Sequence, residues 1–231
     1  MTEAIQQAHI IRVTDLTPHV REVVLLPEQN ISYRPGQWIS IKVPLHQKSP
    51  LNRAYSMAVP EQPSRQLFLV FDRVPGGTGS EYLYSLRPGD QVLLSGPYGK
   101  FLLPAQNQKA LLLIGRYTGI VPIHCMVRAL VSNKEPIDLT VIQAAPVESE
   151  LLYHEEFIGL RAARADFQYI PIISPSETEL DRVMELVSKL MSDRHDIAPM
   201  ICGIKQFVRP MRAFFVELGF DRRDVKIETY D

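Results

Sequence analysis

The sequence predicts an all-β antiparallel barrel followed by an α/β unit whose five-stranded parallel sheet is flanked by helices. Three observations carry this. From His9 to about Leu103 short β-branched runs alternate with turn residues; a polar stretch, Ala105 to Lys109, then breaks the pattern after Pro104; beyond it apolar runs alternate with longer helical periods. The boundary therefore falls between residues 104 and 105, giving domains 1–104 and 105–231. A chain of 231 residues suits one large domain or two compact ones.

In the first half the strand runs are Ile10 to Thr14, Val20 to Leu26, Ile39 to Val43, Ala54 to Val59, Leu67 to Arg73 and Gln91 to Ser95. Ile39, Ile41 and Val43 alternate with Ser40 and Lys42, as a half-buried strand requires. Six short strands suit a small barrel. One helical interruption, Glu81 to Leu86, follows Gly79 and Ser80 and stops at Arg87-Pro88-Gly89-Asp90. In the second half strands are expected at Ala110 to Ile114, Ile137 to Ile142, Gln168 to Ile173, Pro199 to Cys202 and Val225 to Thr229. Helices are expected at Ile120 to Val131, Glu150 to Leu160, Glu177 to Met191 and Gln206 to Leu218. That alternation implies a parallel sheet wound on both faces, whose ligands bind beyond the carboxyl ends of the strands.

Composition narrows the function. With 25 Lys plus Arg against 26 Asp plus Glu, no global field draws the chain onto nucleic acid or anionic lipid. The longest apolar run, Ala110 to Ile114, is far short of a membrane span, and Met1 to Arg12 has no signal-peptide core, so a soluble cytoplasmic protein is expected. Two cysteines, Cys125 and Cys202, cannot supply the four thiolates of an iron–sulfur cluster, so any redox chemistry would use an organic cofactor. The six histidines never fall at metal-site spacings, and no metal site is expected.

Chemistry concentrates in Arg53-Ala54-Tyr55-Ser56, preceded by Arg34-Pro35-Gly36-Gln37-Trp38 and followed by Gly76-Gly77-Thr78-Gly79-Ser80 at a helix start. A flavin carries an anionic phosphate tail, a flat apolar ring and a nitrogen that receives hydride, and a cation, an aromatic and a small hydroxyl within four residues match those needs. Alone, the tetrapeptide equally fits a surface arginine, a core tyrosine and a turn serine. Likewise the glycines suit a phosphate cradle or a hairpin loop capped by Ser80.

Together with Gly96-Pro97-Tyr98-Gly99, Thr118-Gly119-Ile120-Val121-Pro122, Cys202-Gly203 and the terminal Glu228-Thr229-Tyr230, these motifs resemble the ferredoxin-NADP reductase superfamily over nearly the whole chain. The resemblance implies a flavin-binding barrel over 1–104 and an NAD(P)-binding domain over 105–231. It puts Arg53 and Gly76 to Ser80 on the flavin pyrophosphate, Tyr55 on the isoalloxazine and Ser56 near its hydride-accepting nitrogen. Phe71, Arg73 and Val74 would run beside the flavin tail. Cys202 and Glu228 would neighbour the hydride-transfer site, and Tyr230 would cover the other flavin face and move for nicotinamide. FAD is the implied cofactor, with FMN open.

The second half departs from that pattern. Gly115-Arg116-Tyr117 stands before Thr118-Gly119, where relatives usually have glycines. Tyr117 would narrow a site that glycine leaves open to a pyrophosphate, whereas Arg116 would offer it a positive charge. Glu148, Glu150, Glu177 and Glu179 have the wrong sign for a 2'-phosphate, which favours NADH over NADPH unless Arg161, Arg164 or Arg182 folds close. The expected activity is hydride transfer from NADH or NADPH to flavin, then single electrons to a separate ferredoxin, flavodoxin or oxygenase component, since the chain has no ferredoxin domain of its own. The alternatives are a flavin-binding relay subunit with a degenerate nicotinamide pocket and a free-flavin or ferric-chelate reductase; Ser56, where siderophore reductases generally have threonine, counts against the last.

Overall fold

The computed structural model describes residues 5–45, 48–104, 110–134, 138–191 and 196–230. The linker 105–109, Ile137, His46 and His195 lie outside them. Two compact units emerge: residues 1–102 with 124–130, and residues 103–123 with 131–231.

The first unit is a six-stranded antiparallel sheet built from β1 (Gln6–Asp15), β2 (Val20–Pro27), β3 (Trp38–Leu45), β4 (Lys48–Ser56), β5 (Leu67–Asp72) and β6 (Gln91–Tyr98), with α1 (Thr78–Ser85) between β5 and β6. Its order is β4-β3-β6-β1-β2-β5. The two end strands meet at one bridge, Met57 with Leu69, so the sheet curls like a barrel without closing its ladder. β3 alternates as its sequence demands: Ile39, Ile41 and Val43 are buried, and Ile39 and Ile41 join Ile10, Leu25, Leu69 and Leu94 inside. The β4 strand lies earlier than expected, ending at Ser56 rather than starting at Ala54, because its pairing with β3 runs back from Trp38–Ser56 to Leu45–Lys48.

The segment 124–130 belongs to this unit. Buried His124 has Nδ1 2.7 Å from the Ala58 carbonyl oxygen, and Cys125 joins the core. A Cβ on Gly36, whose φ is +93°, would lie 2.4 Å from Met126 and closer still to the Phe101 carbonyl; only glycine fits there.

The second unit holds β7 (Ala110–Arg116), β8 (Asp138–Ala145), β9 (Phe167–Ile173), β10 (Ile197–Ile204) and β11 (Lys226–Tyr230), all parallel in the order β11-β10-β7-β8-β9. The helices are α2 (Ile120–Ser132), α3 (His154–Ala163), α4 (Ser176–Met191) and α5 (Lys205–Glu217). β7 and β10 are almost wholly buried, as central strands covered on both faces must be. In α4, Glu179, Val183, Val187 and Met191 form a buried stripe at four-residue spacing. The helix expected over 150–160 instead begins at His154, after a short 3-10 turn at Glu148–Glu150, because Tyr153 adopts a left-handed conformation with φ 59°.

The exposed edge of the sheet is blunted. Arg161 Nη1 donates to the Tyr169 carbonyl and Arg182 Nη1 to that of Ile173, while Pro171 has no N–H to offer. Among the described residues no helix is long and apolar enough to cross a membrane, and no cluster of His, Cys, Asp and Glu could hold a metal ion.

Candidate functional site: a flavin cradle and a dinucleotide crevice

In the first unit the site forms at the open seam of the sheet. The β3–β4 register sets Arg53 opposite Ile41 and Tyr55 opposite Ile39, so both point to the face whose interior the isoleucines fill. Tyr55 is half-buried, its ring 5.4 Å from that of Phe71 across the seam; burial pushes its hydroxyl up to about 12. Phe71 itself is buried and packs edge-on against partly buried Tyr84, their rings 5.7 Å apart. Ala54 faces outward and is exposed, and Ser56, the last residue of β4, is buried.

The glycine loop lies beside Arg53. Gly76 has φ +73°, and a Cβ on Gly79 would come 2.8 Å from Arg53 Cγ and 3.2 Å from its Nε. The arginine stem therefore lies against the first turn of α1, with Arg53 Nη1 donating to the Asn52 carbonyl at 3.0 Å. The N-terminus of α1 has no side-chain cap: Ser80 turns its hydroxyl back into the loop, within 3.2 Å of the Val74 amide and of the Val74 and Gly77 carbonyls. Ser80 thus shapes the loop with its side chain, and its capping of the helix, open from sequence, does not occur. Gly77 opens the helix and Thr78 begins it. Arg73 forks onto Glu81 at 3.2 and 3.0 Å, which ties up the one acidic group of that first turn. A cation alongside an uncapped helix start is an anion site, and the half-buried tyrosine on the same face supplies an apolar wall. These residues fit the phosphate tail and flat ring of a flavin.

In the second unit the strand order reverses between β7 and β10, which makes a crevice at their carboxyl ends. Glycines let its walls approach. A Cβ on Gly115 would lie 2.8 Å from the Ile120 backbone, one on Gly119 2.2 Å from the Cys202 carbonyl oxygen, and one on Gly203 2.9 Å from Arg116 Cβ. Thr118 is buried between them in sequence, in the turn Tyr117–Gly119.

Arg116 and Tyr117 are both engaged. Arg116 Nε donates to Glu179 Oε1 at 2.6 Å and Nη2 to Ser176 Oγ at 3.1 Å, while the Tyr117 hydroxyl donates to Glu150 Oε2 at 3.1 Å. Tyr117 takes φ +52°, a left-handed conformation that glycine adopts at less cost than tyrosine. None of the three arginines considered as 2'-phosphate partners is uncommitted: Arg161 and Arg182 cap strand carbonyls, and Arg164 forks onto Asp166.

Cys202 is fully buried, which pushes its thiol up, and it pairs in register with Glu228. The Tyr230 side chain hydrogen-bonds the thiol. Burial raises the Glu228 carboxyl to about 7. Sequence reasoning gathered these three residues and missed the partnerships of Glu179, Ser176 and Glu150. Arg116 and Glu179 stand 63 positions apart, and no local pattern marks the pair.

Comparison with known proteins agrees with both halves. Residues 7–103 match the model of an oxidoreductase FAD-binding domain and residues 113–213 that of an oxidoreductase NAD-binding domain. The chain is 29% identical to ferredoxin–NADP reductase B of Sorangium cellulosum over 97% of each. It is 26% identical to reductase component 2 of the terephthalate 1,2-dioxygenase of a Comamonas species over 86% of this chain, but spans only 59% of that protein. Among solved structures, an Amycolatopsis cytochrome P450 reductase superposes with a TM-score of 0.84 at 22% identity, covering 98% of this chain and 69% of that one, which speaks to the fold. With an FAD-binding sheet and an NAD(P)-binding α/β unit in sequence, the chain belongs to the ferredoxin-NADP reductase superfamily.

Proposed function

We propose that the protein takes hydride from a reduced nicotinamide dinucleotide and hands electrons one at a time to a separate acceptor protein. A ferredoxin, a flavodoxin or an oxygenase component fits that role. Bound FAD supplies the two-electron acceptor that releases electrons singly. The observation that carries the reading is the convergence of Arg53 on the uncapped first turn of α1, beside Tyr55. In this reading Arg53 and the amides of Thr78 to Ser80 bind the flavin pyrophosphate, with Gly76 and Gly77 allowing its approach. Tyr55 stacks on the ring and fixes its plane, and Ser56 offers a hydroxyl to the ring edge. Gly115, Thr118 and Gly119 hold the dinucleotide against the strand ends, with Cys202, Glu228 and Tyr230 around the reacting nicotinamide. Hydride transfer needs orientation and exclusion of water more than acid–base groups, which suits a site beside which burial raises the Glu228 carboxyl to about 7.

NADH is the preferred donor. The segments following β8 and β9 expose Glu148 and Glu177, and the nearby arginines are already paired. A 2'-phosphate would meet like charge there. A cytoplasmic location, where reduced dinucleotide is made, goes with this activity. Anaerobic mixing with NADH and with NADPH tests it: bleaching of the flavin bands is expected, faster with NADH by about tenfold or more. No bleaching by either donor removes the dehydrogenase reading.

The pinned, left-handed Tyr117 favours one rival, a flavin-binding relay module whose dinucleotide site has closed. Tyr117→Gly separates the two. A large gain in NADH affinity identifies a closed site, and a loss identifies a working variant loop.

A further inference from the structure

We propose that Arg116 is the cation for the dinucleotide pyrophosphate in this chain and that Glu179 is the positioning residue that holds it there. The assignment rests on the NAD(P)H reading above. Ligands of such a sheet bind beyond the carboxyl ends of its strands, so a pyrophosphate seated at the end of β7 comes to the Arg116 side chain. Arg116 ends β7 at the point where the strand order reverses, its Cβ packed where any side chain on Gly203 would collide.

The guanidinium is built into place. Nε donates to Glu179 at 2.6 Å and Nη2 to Ser176 at 3.1 Å, which among the described residues uses two of its five N–H donors and leaves three in a fixed fork. The arginine side chain is 15% exposed and the glutamate 1%, so a phosphate reaching that fork would meet it in surroundings much drier than the open surface.

Glu179 is an unusual residue to bury. It occupies the first turn of α4 on the stripe otherwise filled by Val183, Val187 and Met191. Burial raises its pKa and Arg116 lowers it, and among the described residues Oε2 has no hydrogen-bond partner. The positive end of α4 favours an anion there. An acid kept at such a position and paired there with Arg116 serves to fix that cation.

Calorimetric titration of the FAD-loaded protein with ADP-ribose, which carries the pyrophosphate without nicotinamide, and with adenosine, which carries neither, tests this. Arg116→Ala alone would leave Glu179 buried without its counter-charge and can unfold the site, so the test uses Arg116→Gln combined with Glu179→Gln, a neutral hydrogen-bonding pair. We expect ADP-ribose to bind about 10- to 100-fold more weakly to the double variant, with adenosine affinity unchanged. Glu179→Ala should weaken ADP-ribose binding comparably, whereas Glu179→Gln, whose amide oxygen still accepts from Nε, should restore it. Unchanged ADP-ribose affinity in the double variant, or equal losses for both ligands, overturns the assignment while leaving the dinucleotide reading intact. Wild-type protein that binds neither NADH nor ADP-ribose overturns both.

Discussion

Replacing Gly79 by alanine should separate the stability of the first unit from its grip on FAD. The new Cβ would sit 2.8 Å from Arg53 Cγ and 3.2 Å from Cδ and Nε, so the arginine stem must shift by several tenths of an ångström to restore normal contact. That stem is flexible and Arg53 is exposed, so the fold bears little of the cost. Alanine is moreover the better helix former, by up to about 1 kcal/mol. A hydrogen bond from a charged group contributes about 1.5 to 3 kcal/mol, which at about 1.4 kcal/mol per decade is about 10- to 150-fold in affinity. Gly79→Ala should forfeit the lower part of that range and Arg53→Ala most of it. The assay is fluorescence titration of apoprotein with FAD, alongside thermal melts of the apoprotein. Both variants should melt at or above the wild-type temperature while binding FAD more weakly. If Arg53→Ala binds FAD within twofold of wild type, the pyrophosphate is not held where we place it.

Other outcomes follow from the second unit. Glu228 has its folded pKa raised to about 7 by burial, so its protonated form is favoured by folding. Stability from this group is complete below its unfolded value and falls as pH rises toward about 7; Glu228→Gln should therefore match wild type in melting temperature near pH 4 and exceed it near pH 8, and a constant offset would contradict this. Gly119→Ala forces a Cβ to 2.2 Å from the Cys202 carbonyl oxygen, a backbone atom that cannot swing away, and should lower stability by about 1 to 3 kcal/mol in denaturant melts as well as weakening NADH binding. Tyr117→Phe removes the bond to Glu150 and should cost about 1 kcal/mol of stability, read by the same melts.

Local pattern made much of this architecture legible. The alternation of β3 and the unbroken apolar runs of β7 and β10 each report how many faces of a strand are covered, and both read correctly. The tetrapeptide Arg53 to Ser56 was visible as a concentration of chemistry, and the register with Ile39 and Ile41 explains why arginine and tyrosine share a face. What stayed hidden depends on non-local pairing or on single backbone dihedrals. Sequence alone sets strand β4 too late because nothing in Ala54 to Val59 announces that pairing with β3 ends at Ser56. Periodicity starts α3 too early because it cannot register one left-handed tyrosine at position 153. By sequence Glu179 has the wrong sign for a 2'-phosphate; only folding buries it and pairs it with Arg116, 63 positions away.

The central claim, a flavin held by the first unit, is tested most directly by the absorption spectrum of the purified protein, with chromatography of whatever it releases on denaturation. The account predicts a yellow protein with flavin bands and FAD released at about one per chain. A colourless protein that takes up neither FAD nor FMN on incubation would contradict it.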